Sequence, residues 1–189
     1  MKNRYFLLRH GQNFYQSELP DTVYPWPEPS PILLTDKGKK EAMAAAQKLK
    51  NKKIDIIFSS DVPRARQTAE IVGKEIGNDI ILDSRLRDTN FGIFGGNKKE
   101  EYRNFFSEKK ERFIKRPSKG ENWNDVEKRV KDFLDEIEEK YKNKNILVVS
   151  HGDTLWLMEG LLKNIKDREE FLKNRIKTDL KTGEIREIK

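Results

Sequence analysis

Two stretches of this chain share one pattern that few folds accommodate. Tyr5-Phe6-Leu7-Leu8-Arg9-His10-Gly11 and Ile146-Leu147-Val148-Val149-Ser150-His151-Gly152 are each a short apolar run that breaks off at a polar residue, a histidine and a glycine. A run that is apolar at every position, rather than at every second one, fits a strand buried on both faces. That is the environment of a parallel sheet covered by helices. In open α/β sheets, ligands bind where such strands end. The sequence holds two histidines, and both are expected to open onto one crevice although they lie far apart along the chain.

The rest of the chain alternates in the same sense. Strand-like runs at Arg4–Leu8, Ile54–Phe58, Ile80–Leu82 and Ile146–Val149 are separated by helical patterns. In Thr35–Leu49, Thr35 can cap, Asp36 suits the first turn, and Ala42, Ala45, Ala46 and Leu49 form one apolar face. Asp61–Ile76 tolerates Pro63 in its first turn. Asn122–Tyr141 carries Val126, Val130, Phe133, Ile137 and Tyr141 along one side, and Leu155–Leu162 and Arg168–Leu172 also read as helical. Ile176–Leu180 and Glu184–Ile188, around Lys181-Thr182-Gly183, predict a terminal hairpin. The alternation implies an α/β fold of three layers, α/β/α, with a mainly parallel central sheet. With no linker and no internal repeat, residues 1–189 are expected to form a single domain. Phe14–Leu34, rich in proline and aromatics, and Phe91–Gly120, with a glycine cluster and basic aromatic residues, read as insertions near the active edge.

Composition narrows the function classes. The chain has 189 residues, 38% of them charged and 35% hydrophobic, with a net charge of +7 and no cysteine. Thiolate chemistry and disulfides are excluded. No segment is apolar and long enough to span a membrane, and no signal-peptide pattern opens the sequence, so a cytoplasmic location is the expectation. The positive charge is mostly lysine interleaved with glutamate, as in Glu136 to Lys144. That pattern suits a solvated helix face better than a nucleic-acid footprint.

Arg9-His10-Gly11-Gln12 is the strongest local signal, and five further segments follow it in order. They are Leu34-Thr35-Asp36-Lys37-Gly38, Ser59-Ser60-Asp61-Val62-Pro63-Arg64-Ala65-Arg66-Gln67-Thr68-Ala69, Leu86-Arg87-Asp88 through Phe91-Gly92, Gly120-Glu121-Asn122-Trp123, and Val148-Val149-Ser150-His151-Gly152. Together they resemble the histidine phosphatase superfamily, with its phosphoglycerate-mutase-like fold, from Tyr5 to about Leu162. The resemblance implies a phosphomonoester hydrolase that works through a phosphohistidine on His10, with no metal and no cofactor. It also implies a small phosphorylated substrate as the partner, with neither nucleic acid nor membrane involved. A phosphoglycerate-mutase-type phosphotransferase and a non-enzymatic phospho-ligand-binding or scaffold protein are the alternatives. The short chain favours the phosphatase.

The resemblance carries over as follows. His10 is the nucleophile, and Arg9 and Arg64 are the phosphate clamp. Guanidinium forks fit phosphate oxygens as a lysine cannot. Read from Asp61-Val62-Pro63-Arg64 alone, Arg64 could equally pair with Asp61 or Glu70. His151 stabilises charge on the transferring group. Gly11, Gln12, Asn13, Gln16 and Gly152 are candidate substrate contacts; Asn13 and Gln16 depart from the residues usual at their positions. Asp88 stands where the family usually has glutamate and is the candidate general acid, with a reach shorter by ~1.5 Å. Glu121 is the alternative proton donor. Trp26, Tyr24, Phe94 and Trp123 are candidates to line the substrate mouth, Trp123 with a buried role equally open.

Overall fold

Burial on both faces of the apolar runs sets the architecture. In the computed structural model, which describes residues 1–188 except for the side chains of residues 174 and 176–178, Tyr5, Phe6, Leu7, Leu8, Ile146, Leu147, Val148 and Val149 are all at most 1% exposed. They form two central strands, β1 (Arg4–Arg9) and β4 (Asn145–Ser150), paired in parallel with Leu7 opposite Val148. β2 (Ile56–Ser59) lies on the other side of β4, and β3 (Ile80–Leu82) closes that edge, both parallel. A short β5 (Ile185–Ile188) runs antiparallel to β1, giving the order β3-β2-β4-β1-β5.

Alternate side chains of each central strand feed opposite layers. Phe6, Leu8, Ile57, Leu147 and Val149 pack with Ala45, Ala46 and Leu49 of α2 (Asp36–Leu49) and with Ala69 and Val72 of α3 (Pro63–Ile76). Tyr5, Leu7, Phe58, Ile146 and Val148 pack with Val126, Val130 and Phe133 of α5 (Trp123–Lys140) and with Leu155 and Leu157 of α6 (Gly152–Leu162). The predicted three-layer, mainly parallel α/β/α arrangement is the one observed.

The carboxyl end of the chain departs from the expected hairpin. Residues 176–178, read as the start of its first strand, belong to α7 (Arg168–Thr178), which starts on an Asp167 cap. The turn at Gly183 then delivers β5 to β1 instead. The hydrophobic spacing in Phe171, Leu172 and Leu180 is too sparse to signal that the helix continues, and Ile176 in isolation resembles a strand residue.

The two insertions pack on each other over the carboxyl edge of the sheet. After α1 (Phe14–Glu18), Val23 joins Tyr102 of α4 (Lys99–Asn104) and Phe106 in a small apolar cluster bordered by Phe91, Phe94 and Phe105. Phe94 and Trp123 thus leave the mouth: Phe94 serves this cluster, and Trp123 is fully buried.

Beneath the insertions, the loop after β1 is clamped to the start of α2. Thr35 caps that helix by accepting from the Gly38 amide at 3.1 Å, and its own amide donates to the Gln12 carbonyl at 2.9 Å. A Cβ at Gly38 would stand 2.0 Å from the Gln12 carbonyl oxygen, and one at Gly11 would stand 2.3 Å from that of Gly38. Both obstacles are backbone. Gly38→Ala is therefore expected to destabilise the protein by about 1–3 kcal/mol, read as a lower urea midpoint at unchanged slope.

Candidate active site

Parallel pairing brings the ends of β1, β4 and β2 side by side. His10 follows β1, His151 follows β4 and Ser60 follows β2, and their backbones extend the ladder. The His10 amide donates to the Ser150 carbonyl and the Ser60 amide to that of Val149, each at 3.0 Å. The two imidazole centroids lie 5.2 Å apart, at 60° to one another. Both rings are at most 1% exposed.

Hydrogen bonding distinguishes the rings. His10 Nδ1 is 2.8 Å from the Gly11 carbonyl, which can only accept, so Nδ1 carries the proton and Nε2 keeps its lone pair. Burial first, then the Arg64 and Arg9 charges, hold the His10 pKa well below 6.5. His151 is held low by the same burial, then by Arg64 and by His10. Both are therefore neutral at pH 7. His151 Nε2 meets the Ser60 hydroxyl at 3.0 Å, whereas its Nδ1 is buried without a hydrogen-bond partner.

Arg64 enters from the first turn of α3, where Pro63 fits the first helical position. Its side chain is 1% exposed. Neither Asp61 nor Glu70 is its partner: Asp61 pairs with Arg87 and Glu70 with Arg66. Arg64 Nη1 instead donates to Glu28, and Nη2 donates to Asp88 Oδ2 at 3.2 Å. The Tyr24 ring lies 4.1 Å from its guanidinium carbon. Arg9 Nη1 donates to the Leu180 carbonyl at 2.7 Å, so the segment before β5 orients it. The Nε atoms of both arginines are buried without a partner. Together with His151 Nδ1, that is three orphaned nitrogens around one imidazole, the two guanidinium Nε atoms being donors whatever the tautomer of the ring. Buried donors are almost always satisfied in folded proteins, and donors of this kind fit an anion with several acceptor oxygens. A Cβ at Gly152 would meet the Arg9 guanidinium at 3.4 Å, so this glycine, at the start of α6, keeps the cation close to the helix terminus.

Asp88 lines two cavities beside the clamp arginines. One, of about 250 Å³, is bordered by Glu28, Arg64, Arg87 and Glu121. The other, of about 210 Å³, is bordered by Arg9, Tyr102, Arg112 and Gly152. Burial raises the Asp88 pKa against the opposing pull of Arg64, with Asp153 adding to the rise. Its Oδ2 stands 3.6 Å from His151 Nδ1. Glu121 is differently occupied. Its carboxylate accepts from Arg129 at 2.9 Å and from the Asn90 amide at 2.9 Å, and Arg129 in turn donates to the Asp88 carbonyl at 3.0 Å. Glu121 is thus tied into the frame that holds the Asp88 backbone. Larger clefts of about 490 and 510 Å³ lie against α6 and the α6–α7 connection and include none of Arg9, Arg64 and Asp88.

The remaining candidate contacts sit around the loop after β1. The Gly11 amide donates to Thr68 Oγ1 at 3.1 Å. The Gln12 amide donates to Glu41 at 2.8 Å, and its side-chain oxygen accepts from Thr35 at 2.9 Å. Asn13 and Gln16 form a reciprocal cap on α1: Asn13 Oδ1 accepts the Gln16 amide while Gln16 Oε1 accepts the Asn13 amide, each at 3.2 Å. Gln16 is therefore engaged with its own helix, and Asn13 Nδ2 donates to the Tyr24 hydroxyl at 3.0 Å. At the mouth, Trp26 is 41% exposed under the Arg87 guanidinium. Sequence reasoning missed Glu28, Ser60, Thr68 and Arg129. Glu28 lies in a proline-rich stretch whose pattern says nothing about Arg64, and Ser60 sat inside a motif without being singled out. Among the described residues, no group of three or more His, Cys, Asp or Glu side chains could hold a metal ion, and no helix is long and apolar enough to cross a membrane.

Paired buried imidazoles, two arginines and a buried carboxyl with a raised pKa at the carboxyl edge of a parallel sheet define an α/β protein with a phosphoryl-handling site. The sequence profile of the histidine phosphatase superfamily (branch 1) matches residues 5–178, and the chain belongs to that superfamily. Phosphoserine phosphatase 1 of Hydrogenobacter thermophilus is 32% identical over 123 residues, 62% of this chain and 58% of that one. A probable phosphoglycerate mutase of Escherichia coli is 34% identical over 161 residues, 79% of this chain and 70% of the mutase. Among solved structures, a mycobacterial glucosyl-3-phosphoglycerate phosphatase superposes with a TM-score of 0.78 at 21% identity, covering 97% of this chain and 88% of the other.

Proposed function

We propose that the chain is a phosphomonoester hydrolase acting on a small phosphorylated substrate through a phosphohistidine on His10, without a metal. The observation that carries this reading is the set of three buried, unpartnered nitrogens, Arg9 Nε, Arg64 Nε and His151 Nδ1, around an imidazole whose protonation is fixed at the far nitrogen. In the first step, the Nε2 lone pair of His10 attacks phosphorus and the ester oxygen leaves with the proton of Asp88. The arginines and His151 donate to the three equatorial oxygens as charge spreads over them. In the second step, the Asp88 carboxylate takes a proton from water. The resulting hydroxide attacks the phosphohistidine, and phosphate departs while His10 regains its lone pair.

Two opposite pKa shifts support this division of labour. A lowered His10 pKa keeps the nucleophile neutral into the acid range, and a raised Asp88 pKa lets the acid hold its proton to higher pH than an ordinary aspartate does. Activity is expected on the acid side of neutrality, its alkaline limb set by Asp88. Asp88→Asn should slow hydrolysis of alkyl phosphates by about 10²–10⁴-fold. Read in kcat/KM, which reports the first step alone, the loss should be much smaller for p-nitrophenyl phosphate, whose leaving group needs no proton. Equal losses for both esters would remove Asp88 as the acid. Glu121, bound by Arg129 and the Asn90 amide, is the weaker candidate for that role.

Hydrolysis of an aryl phosphate in excess EDTA tests the proposal as a whole. Activity should persist in the native enzyme. Inactivation by the chelator would overturn metal independence. Conversion of one phosphoglycerate isomer into another with little phosphate release would indicate a mutase instead. A single domain spanning the chain and a cytoplasmic location complete the proposal.

A further inference from the structure

Ser60 is fully buried beside His151 and takes no part in the steps above. Its hydroxyl oxygen accepts the Val62 amide at 3.2 Å and lies 3.0 Å from His151 Nε2. Two proton arrangements fit those distances. If Nε2 carries the proton, Ser60 receives two donors, its own hydroxyl proton has no recorded acceptor, and a bare lone pair at Nδ1 faces the arginine-lined pocket. If Ser60 donates to Nε2, its oxygen still accepts from Val62 and every Ser60 valence is used. The one group left over is then an Nδ1–H, a donor 3.6 Å from Asp88 Oδ2. The second arrangement orphans one atom rather than two, and it orphans the atom that an incoming anion satisfies.

We propose that Ser60 is a positioning residue that fixes His151 as its Nδ1–H tautomer and so makes His151 a hydrogen-bond donor to the transferring phosphoryl group. The inference rests on the phosphatase reading for its consequence in catalysis, whereas the tautomer itself is independent of that reading. The strand order explains why the serine is available. β2 and β4 are neighbours, so the first residue past β2 lies beside the first residue past β4. The frozen ring matches the role. A neutral imidazole that has already placed its proton needs no rearrangement as charge develops, and the partner of the distal nitrogen decides which nitrogen carries that proton.

The chain is well suited to a direct test because it has two histidines. Long-range ¹H–¹⁵N spectra of ¹⁵N-histidine-labelled protein show two rings, and a His10→Asn sample assigns them by leaving one. Both rings of the native protein are expected as Nδ1–H. In Ser60→Ala, His151 should move to Nε2–H while His10 stays unchanged, and kcat should fall about 10–100-fold with KM within about threefold. Ser60→Thr, which keeps the hydroxyl, should restore the native His151 pattern. Ser60→Cys, close in volume and a weaker donor, should give an intermediate one and covers the case in which the alanine variant folds poorly. A native His151 already in the Nε2–H form, or a tautomer unchanged in Ser60→Ala, overturns the proposal. Trapping the native phosphoenzyme tests the phosphohistidine reading separately, so the two can fail independently.

Discussion

His10→Ala is expected to lower kcat for aryl phosphate hydrolysis by about 10⁴-fold or more, the scale seen when a covalent nucleophile is removed. The loss should fall on kcat alone. Arg9, Arg64 and His151 remain in the variant, so binding of inorganic phosphate, followed calorimetrically, should stay within about tenfold of native. Quenching native enzyme with alkaline detergent during turnover of a ³²P-labelled ester should trap a phosphoenzyme that is stable in alkali and is lost on later acid treatment. The variant should show none. The backbone contact of His10 with Ser150 does not depend on the ring, and the circular dichroism spectrum of the variant checks its fold. Native-like turnover in His10→Ala would move the nucleophile elsewhere, and His151 has the wrong nitrogen free: its unpartnered Nδ1 faces Asp88, not a lone-pair position made ready by a backbone acceptor.

Much of this arrangement was legible before the fold was known, and the legible part has one cause. Residues 5–8 and 146–149 are apolar at every position because both faces are covered, so the parallel sheet and its site-bearing edge follow from local pattern. Thr35 caps its helix as its position suggested, since capping is decided within three residues. What local pattern could not show is which distant side chains share a guanidinium. Glu28 reaches Arg64 only through the path of the first insertion, and Leu180 meets Arg9 only because α7 ends just before it. The same holds for Gln16 and Glu121. Their types suit phosphate or proton chemistry, but each is engaged by a neighbour, Gln16 by the Asn13 amide and Glu121 by Arg129. A motif position specifies the residue type; the partner that engages it comes from the fold.

The site should also dominate the acid sensitivity of the protein. His10 and His151 are buried with pKa values well below 6.5, so in the folded state they stay neutral where the unfolded chain already binds protons. Stability should therefore fall as pH drops below about 6.5, by about 1.4 kcal/mol per pH unit for each ring and about 2.7 for the two. Asp88 acts in the opposite sense. Its raised pKa means that the folded state holds a proton the unfolded chain has released, so above pH 3.8 it favours folding as pH falls, by up to about 1.4 kcal/mol per unit. Two rings against one carboxyl leave a net loss of about 1.4–2.7 kcal/mol per unit between pH 6 and 5. Urea unfolding at pH 7, 6 and 5 measures it. His151→Asn should remove about 1.4 kcal/mol per unit from the slope, and Asp88→Asn, which cannot take up the proton, should steepen the slope toward the two-ring limit. Stability that stays flat from pH 6.5 to 5 in the native protein would mean that the rings protonate in place, and the neutral-imidazole chemistry of the site would fall with it.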